Sequence, residues 1–264
     1  MHERVYFNGS IAAGARIAAI SSAALYGRGV FSTIAIHDGE PFLLDKHVRR
    51  LIANSGSFGI ELSTKHEEEL RGGLYDLIAE NHIVRGRARV TIFDESESEI
   101  WGKPDRVNIS LLIMTADARP VPAELRLTAS PYTINSTSPL AGVKSCNYME
   151  HQTAYGEARS RGFGEALRLN ERGHATSGSM ANVFWEKGGT LFTPSLSTGC
   201  LAGTTREFVL ENMRCEEVEA GIDVLESAER IFLTSAGIGV KAAAEFKGRA
   251  LDTSEHRMTE LISF

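Results

Sequence analysis

A predicted β-hairpin followed at once by an amphipathic helix is the feature that most constrains the fold of this chain. The residues on either side of the pair Asp38-Gly39 are apolar and strand-like, over 29–36 before it and 42–44 after it. An Asp-Gly pair between apolar runs favours a tight turn between antiparallel strands. Helical spacing of apolar residues follows from Asp45, which is a suitable N-cap. Strand and helix therefore alternate from the beginning of the chain.

The same mixture continues along the sequence. Further strands are predicted at 5–7, 87–93, 107–114, 125–129 and 230–234, hairpins at 166–175 and 183–193, and helices at 67–80, 148–161, 205–213 and 254–262. Residues 116–124 are proline-rich and unpatterned, as expected of a linker. We therefore predict an α+β chain with an N-terminal lobe over 1–115, a linker over 116–124 and a C-terminal lobe over 125–264.

Composition excludes several classes of protein. A net charge of −6 and a sequence pI near 5.8 give no basic surface for nucleic acid, and no apolar run reaches the roughly 18 residues of a membrane span. Three cysteines are too few for a disulfide framework, and the sequence has no zinc or hydrolase motif and no dinucleotide-binding pattern in a suitable context. The first ten residues lack the features of a secretory signal. We expect a cytoplasmic protein that binds no metal and acts on a small molecule.

Lys144 is the first candidate for chemistry. It lies in SPLAGVKSCNY, where its neighbours are small or apolar. Burial disfavours the ammonium form of a lysine, lowers its pKa and leaves a free amine that can attack an aldehyde. A lysine that only extends from a loop to solvent is the alternative interpretation.

Two further segments carry residues suited to a phosphate group. In LAGTTREFVLEN, Thr204 and Thr205 follow a glycine at a predicted helix start, with Glu207 expected to complete a capping box with Thr204. Arg50, in DKHVRRL on the first long helix, could hold a phosphate with two hydrogen bonds. An ordinary helix cap and a surface arginine are the alternatives.

The order and spacing of these segments resemble the class IV aminotransferases. The resemblance extends almost from end to end and is carried by YGRGVFSTIAIHDGEPFLLDKHVRRLIAN, VKSCNY, GHATSGSMANVFWEKGGTLFTPSLSTGCLAGTTREFVLEN and FLTSAGIGVK. It implies the two-lobed fold-type IV architecture of D-amino-acid aminotransferase-like enzymes. It also implies pyridoxal 5'-phosphate (PLP) as cofactor and a homodimer whose active site lies between the lobes.

The resemblance also implies roles for individual residues. Lys144 corresponds to the lysine that forms a Schiff base with PLP and shuttles protons. Arg50, of the H-x-x-R-L motif, is expected to contact the phosphate of PLP. Tyr148 is expected to lie beside the cofactor. The remaining predicted phosphate contacts are Thr204, Thr205, Ser235 and Ala236, the last replacing a threonine common in transaminases.

One departure from the family pattern concerns the pyridine nitrogen of PLP. Where the family usually has a glutamate that keeps this nitrogen protonated, the chain has Ser177, in TSGSMANVF. A neutral hydroxyl holds a pyridinium less firmly, so the cofactor's capacity to absorb carbanion charge should be weaker. The register of the hairpin gives no reason to place Glu171 or Glu186 in this role.

Three functions remain open on this sequence. The first is a 4-amino-4-deoxychorismate lyase, which releases pyruvate to give 4-aminobenzoate for folate biosynthesis. The second is a transaminase of D- or branched-chain amino acids with 2-oxo acids, and the third is a PLP-binding protein with low turnover. Ser177 favours the lyase, because aromatisation of its substrate supplies driving force that an amino acid cannot. Arg28 and Phe31 are predicted on the substrate side, with a local acid as the alternative partner for Arg28 and the hydrophobic core as the alternative place for Phe31.

Overall fold

The computed structural model describes residues 1–98, 100, 106–118 and 120–262, and these form two compact units. The N-terminal unit comprises residues 1–119 and 144–147, and the C-terminal unit comprises residues 120–143 and 148–264. In the described part of the chain, no helix combines the length and the apolar character that a membrane span needs.

The N-terminal unit is built on a six-stranded sheet with the order β2-β1-β6-β5-β3-β4. Its central strands β3, β5 and β6 pair antiparallel, and α2 and α3 cover apolar side chains of the sheet such as Val30, Ile34 and Ile113. The elements are β1 Val5–Phe7, β2 Ser10–Ala12, α1 Ser22–Tyr26, β3 Gly29–His37, β4 Glu40–Pro41, α2 Leu44–Gly56, α3 Thr64–Glu80, β5 Gly86–Asp94 and β6 Ile109–Asp117.

The predicted turn at Asp38-Gly39 and the strand before it are confirmed, but the second strand predicted over 42–44 is wrong, because β4 is Glu40–Pro41 and α2 already begins at Leu44. His37 pairs with Glu40 across the turn, and Asp38 and Gly39 have φ values of 51° and 79°. Two consecutive residues in the left-handed region define the tight turn that matches the twist of antiparallel strands. The expected N-cap at Asp45 is wrong, because α2 begins at Leu44 and places Asp45 inside the first turn.

The C-terminal unit contains two five-stranded sheets, with the orders β12-β11-β10-β13-β14 and β16-β15-β7-β8-β9. Apolar side chains of both sheets form one core around Leu167, Val183, Trp185 and Leu233. The strands are β7 Arg126–Ala129, β8 Glu165–Leu169, β9 Ala175–Gly178, β10 Asn182–Lys187, β11 Thr190–Pro194, β12 Glu216–Val218, β13 Arg230–Ser235, β14 Gly239–Ala242, β15 Glu245–Phe246 and β16 Arg249–Ala250.

The helices of the C-terminal unit are α4 Met149–Ser160, α5 Thr204–Asn212, α6 Ile222–Glu226 and α7 Arg257–Glu260, with a 3-10 turn at Leu196–Thr198. The capping box expected between Thr204 and Glu207 is wrong, since Gly203 is the N-cap and Thr204 is already helical. The predicted closing helix over 254–262 shortens to the single turn of α7.

Candidate active site

Lys144 belongs to a short segment that pairs with the beginning of β3. The backbone N–H of Phe31 donates to the carbonyl of Lys144 at 2.9 Å, and that of Cys146 donates to the carbonyl of Gly29 at 2.8 Å. The N–H of Lys144 donates to Oδ1 of Asn54, on α2, at 2.9 Å. These bonds place residues 144–147 in the N-terminal unit, whereas the sequence assigned Lys144 to the C-terminal lobe.

The amine of Lys144 lies in an environment that favours its neutral form. Burial is the main cause, and the positive charges of Arg50 and Arg89 add to it, so that the pKa of Lys144 falls to about 7. Its Nζ is 4.5 Å from the centroid of the Phe31 ring, and the guanidinium carbon of Arg89 is 3.6 Å from the same centroid. At neutral pH this amine can therefore act as a nucleophile and exchange a proton.

Arg50 is held by a buried network on α2 and β3. Its Nη2 donates to Oγ of Ser32 at 2.7 Å, and this oxygen is 2.7 Å from Nδ1 of His47. Burial, together with the charges of Arg50 and Lys144, lowers the pKa of His47 well below its usual value. Since an arginine can only donate, the Ser32 proton is available for the neutral imidazole. The network fixes the direction of the Arg50 guanidinium.

The start of α5 provides backbone N–H groups in the C-terminal unit. Thr204 and Thr205 are buried there, directly after Gly203. A side chain at Gly203 would collide with Asn182, since a Cβ would lie 2.0 Å from its Oδ1. Nδ2 of Asn182 donates to the carbonyl of Leu201 at 2.8 Å and so holds the approach to the helix. Backbone N–H groups at a helix start, with hydroxyls beside them, suit a phosphate group.

Ser177 occupies the position at which the family pattern has a glutamate. It lies on β9, directly opposite Arg168 on β8. The buried carboxylate of Glu165, on β8, accepts hydrogen bonds from the backbone N–H groups of Ala166, Ser179 and Met180. Burial raises the pKa of Glu165, and the amide bonds oppose this. Glu165 therefore anchors the turn after Ser177.

The two other glutamates considered for the role at Ser177 are bound elsewhere. Glu171 accepts a hydrogen bond from the hydroxyl of Ser136 at 2.6 Å, and Glu186 pairs with Arg230 at 2.6 Å. Neither contact involves Ser177.

The remaining predicted cofactor contacts also lie in the C-terminal unit. Ser235 ends β13 and pairs with Gly239, so that Ala236 belongs to the connecting turn. Tyr148 immediately precedes α4, and its ring stacks on that of His151 with centroids 4.4 Å apart. Their contacts with a cofactor stay predictions.

Arg28 has a local acidic partner, which was the alternative interpretation of this residue. Its Nε lies 2.8 Å from Oδ2 of the buried Asp94, and its Nη2 donates to the carbonyl of Phe58 at 2.9 Å. Asp94 offsets the charge of Arg28, so a substrate carboxylate would meet a hydrogen-bond donor with little net charge. Phe31 is buried beside Lys144. The substrate roles of both residues stay predictions.

Sequence reasoning missed Arg89, His47 and Arg168. In the sequence, Arg89 can be recognised only as a charged residue within the segment that forms β5. Arg168 is likewise a charged residue within the segment that forms β8. His47 is the first residue of the H-x-x-R-L motif that drew attention to Arg50. For His47 and Arg168, the signal is a polar residue at a position that the apolar pattern would bury.

Comparison with known proteins agrees with the fold. The structure aligns with the 4-amino-4-deoxychorismate lyase of Pseudomonas aeruginosa with a TM-score of 0.84 at 23% identity, over 97% of this chain and 96% of that one. The fold is thus that of fold-type IV PLP enzymes. The aminodeoxychorismate lyase of Bacillus subtilis (strain 168) is 33% identical over 72% of this chain and 66% of its own length. The branched-chain-amino-acid aminotransferase of Escherichia coli (strain K12) is 25% identical over 91% of this chain and 82% of its own.

The family model for amino-transferase class IV matches residues 29–246. The chain therefore belongs to this family of PLP-dependent enzymes. Each unit contributes groups suited to that cofactor: in the N-terminal unit, Lys144 has an amine with a pKa near 7 and the guanidinium of Arg50 is held by Ser32. In the C-terminal unit, the start of α5 provides backbone N–H groups.

Arg50→Ala and Thr205→Ala should each weaken PLP binding without unfolding the chain. Each removes a donor predicted to contact the phosphate dianion, and a hydrogen bond to a charged group contributes about 1.5–3 kcal/mol, which corresponds to roughly 10- to 150-fold in affinity. Titration of the apoprotein with PLP, followed by absorbance, measures the change. Arg49→Ala, one position along α2 and exposed, is the matched control. Unchanged affinity in both variants would place the phosphate elsewhere.

Proposed function

We propose that this enzyme is a 4-amino-4-deoxychorismate lyase, which eliminates pyruvate from its substrate and leaves 4-aminobenzoate. The observation that carries the proposal is Ser177, a neutral residue where the family usually has the glutamate that protonates the pyridine ring. Glu165 is fully engaged with backbone amides and does not compensate for the missing carboxylate.

Bound PLP supplies an electrophilic carbon for the substrate amine and a ring that withdraws electrons from it. Lys144 transfers the proton of the reaction. With a pKa of about 7, its Nζ is present in both protonation states at neutral pH, so it can accept the proton lost from the substrate ring and return it. Removal of that ring proton and cleavage of the bond from the ring to the enolpyruvyl oxygen complete the aromatic ring, and the released enolate takes up a proton at its terminal carbon to become pyruvate.

The lyase and the transaminase make different demands on the cofactor. Transamination depends on the pyridine ring as an electron sink that stabilises a substrate carbanion, and a neutral residue at Ser177 makes the ring a weaker sink. In the lyase, formation of an aromatic ring provides much of the driving force, so a weaker electron sink is tolerated. The 33% identity to the Bacillus subtilis lyase, against 25% to the Escherichia coli aminotransferase, supports the same choice.

A transaminase of D- or branched-chain amino acids is the second candidate. It is favoured by the extent of the match to the aminotransferase, which covers 91% of this chain against 72% for the lyase. A PLP-binding protein with low turnover is the third. A homodimer and a cytoplasmic location stay predictions from the resemblance and the composition.

The decisive experiment compares two reactions of one preparation. Purified enzyme is incubated with 4-amino-4-deoxychorismate, and separately with a panel of D- and L-amino acids plus 2-oxoglutarate. We expect pyruvate and 4-aminobenzoate to form in equal amounts, with little transfer of amino groups. Brisk amino transfer without 4-aminobenzoate would establish the transaminase. Covalent PLP at Lys144 without either reaction would establish the binding protein.

A further inference from the structure

Arg168 is an unusual residue for its position. It lies on β8, within a unit whose core is apolar, and its side chain is completely buried. Antiparallel partners point to the same face of a sheet, and neighbours along a strand point to opposite faces. Leu167 contributes to the core of the C-terminal unit, so Arg168 and its cross-strand partner Ser177 face away from that core together.

Three hydrogen bonds occupy two of the three nitrogen atoms of the Arg168 guanidinium. Nε donates to the carbonyl of Tyr132 at 3.2 Å, and Nη2 donates to the carbonyl of Thr133 at 2.8 Å and to the carboxylate of Glu150. Nη1 is buried and has no hydrogen-bond partner among the described residues. A buried charged donor without an acceptor is costly, so this atom indicates a ligand that brings an acceptor.

The position of Ser177 identifies the acceptor. We propose that Arg168, with Ser177 beside it, donates a hydrogen bond from Nη1 to the pyridine nitrogen of PLP and keeps that nitrogen unprotonated. The inference rests on the proposed function, because it takes Ser177 to be the residue that faces this nitrogen. It deepens that function by naming the group that replaces the missing carboxylate.

Two physical arguments select the protonation state. An unprotonated pyridine nitrogen has a lone pair that accepts from Nη1, whereas a pyridinium has only a donor to offer to a group that is itself a donor. The positive charge of Arg168 also disfavours a second positive charge at the ring, as any like charge does at close range. The guanidinium of arginine is always charged in proteins, so the effect should not depend on pH in the physiological range.

The pair Arg168 and Ser177 therefore weakens the electron-withdrawing capacity of the cofactor more than serine alone would. A serine is merely neutral, whereas the arginine opposes protonation. This arrangement suits a reaction whose driving force comes from the substrate.

The experiment uses PLP labelled with ¹⁵N at the ring nitrogen and bound to the full chain. Protonated and unprotonated pyridine nitrogens give well-separated ¹⁵N signals, so the protonation state is read without turnover. We expect the wild-type signal to be that of the unprotonated nitrogen from about pH 6 to about pH 8. Arg168→Leu should move the protonation of the nitrogen to higher pH, and Arg168→Lys should restore the wild-type profile.

A second set of variants tests the pair. In Ser177→Glu, the new carboxylate faces Arg168 and should pair with it, so the nitrogen stays unprotonated. In the double variant Arg168→Leu with Ser177→Glu, the carboxylate is free for the ring, and the nitrogen should become protonated. Arg172→Leu, on the same hairpin but with an exposed side chain bonded to Ser197 and Glu219, is the control and should leave the signal unchanged.

Several outcomes would overturn the inference. A protonated nitrogen in the wild type at neutral pH contradicts it directly, and this measurement decides the matter even where Arg168→Leu does not fold. An unchanged pH profile in folded Arg168→Leu would mean that Nη1 meets another acceptor, such as a substrate carboxylate. Failure of the proposed function is seen separately, as absence of pyruvate and 4-aminobenzoate from protein whose Lys144 carries PLP.

Discussion

Lys144→Ala should abolish the covalent attachment of PLP and lower turnover more than any other single substitution in the chain. The wild-type amine has a pKa of about 7, so a large fraction is neutral and able to bond to the cofactor at physiological pH. Loss of proton transfer alone lowers rates by about 10²–10⁴-fold. Borohydride reduction of the PLP-loaded protein, followed by peptide mapping, should place the label on the peptide containing Lys144 and find none in the variant.

The control for this experiment is Lys247→Ala. Lys247 is a lysine of the C-terminal unit whose ammonium pairs with Glu226 at the surface. This variant should retain the borohydride label and the full activity. A label that survives Lys144→Ala, or that maps to a different lysine in the wild type, would remove the basis for the active site described above.

Local chemistry made much of the fold predictable. Asp38-Gly39 predicts a hairpin because the turn requires a left-handed conformation at two consecutive positions, which few residue pairs adopt readily. The apolar spacing of α3, at Leu70, Leu74 and Leu77, is likewise a local property, and all three side chains are buried. Helix ends were predicted less well, since the start of α5 depends on the close approach of Gly203 to Asn182 rather than on a capping side chain.

The environment of the reactive lysine depends on contacts that no local pattern contains. The N–H of Lys144 is held by Asn54, 90 residues away in the chain, and the two charges that lower its pKa belong to α2 and β5. The neighbouring small and apolar residues of Lys144 indicated burial. They did not indicate that the segment pairs with β3, which assigns it to the N-terminal unit.

The relation between Arg168 and Ser177 was invisible for a similar reason. The departure at Ser177 could be read from the sequence, because it stands within a recognisable motif. Its partner could be found only from the register of β8 against β9, which includes an irregularity between Arg168 and Leu169. A shift of one residue would have turned Arg168 to the other face of the sheet. Arg28 and Asp94 are a second pair of this kind, joined by folding across 66 positions of the sequence.

The burial of Lys144 should also make the apoprotein less stable than a variant without this amine, in a way that depends on pH. The pKa is about 7 in the folded chain and near 10.5 when the lysine is exposed. Between these values the unfolded chain binds more protons than the folded one, so the free energy of unfolding rises with pH across this window. Below about pH 7, where both states are protonated, the full cost of burying the ammonium is present.

Lys144→Met, which keeps much of the side-chain volume, should therefore raise the free energy of unfolding of the apoprotein at about pH 6. A shift of each pKa unit corresponds to about 1.4 kcal/mol, and a discount for the half-buried side chain leaves an expected gain of about 2–4 kcal/mol. The gain should fall to less than half at about pH 9, because the wild-type amine is then neutral when folded. Urea denaturation of the two apoproteins at both pH values measures this difference, with Lys247→Met as the control for loss of a surface charge. An equal effect of Lys144→Met at the two pH values would mean that packing, and not the buried charge, accounts for it, and the amine would then lack the depressed pKa that its chemistry requires.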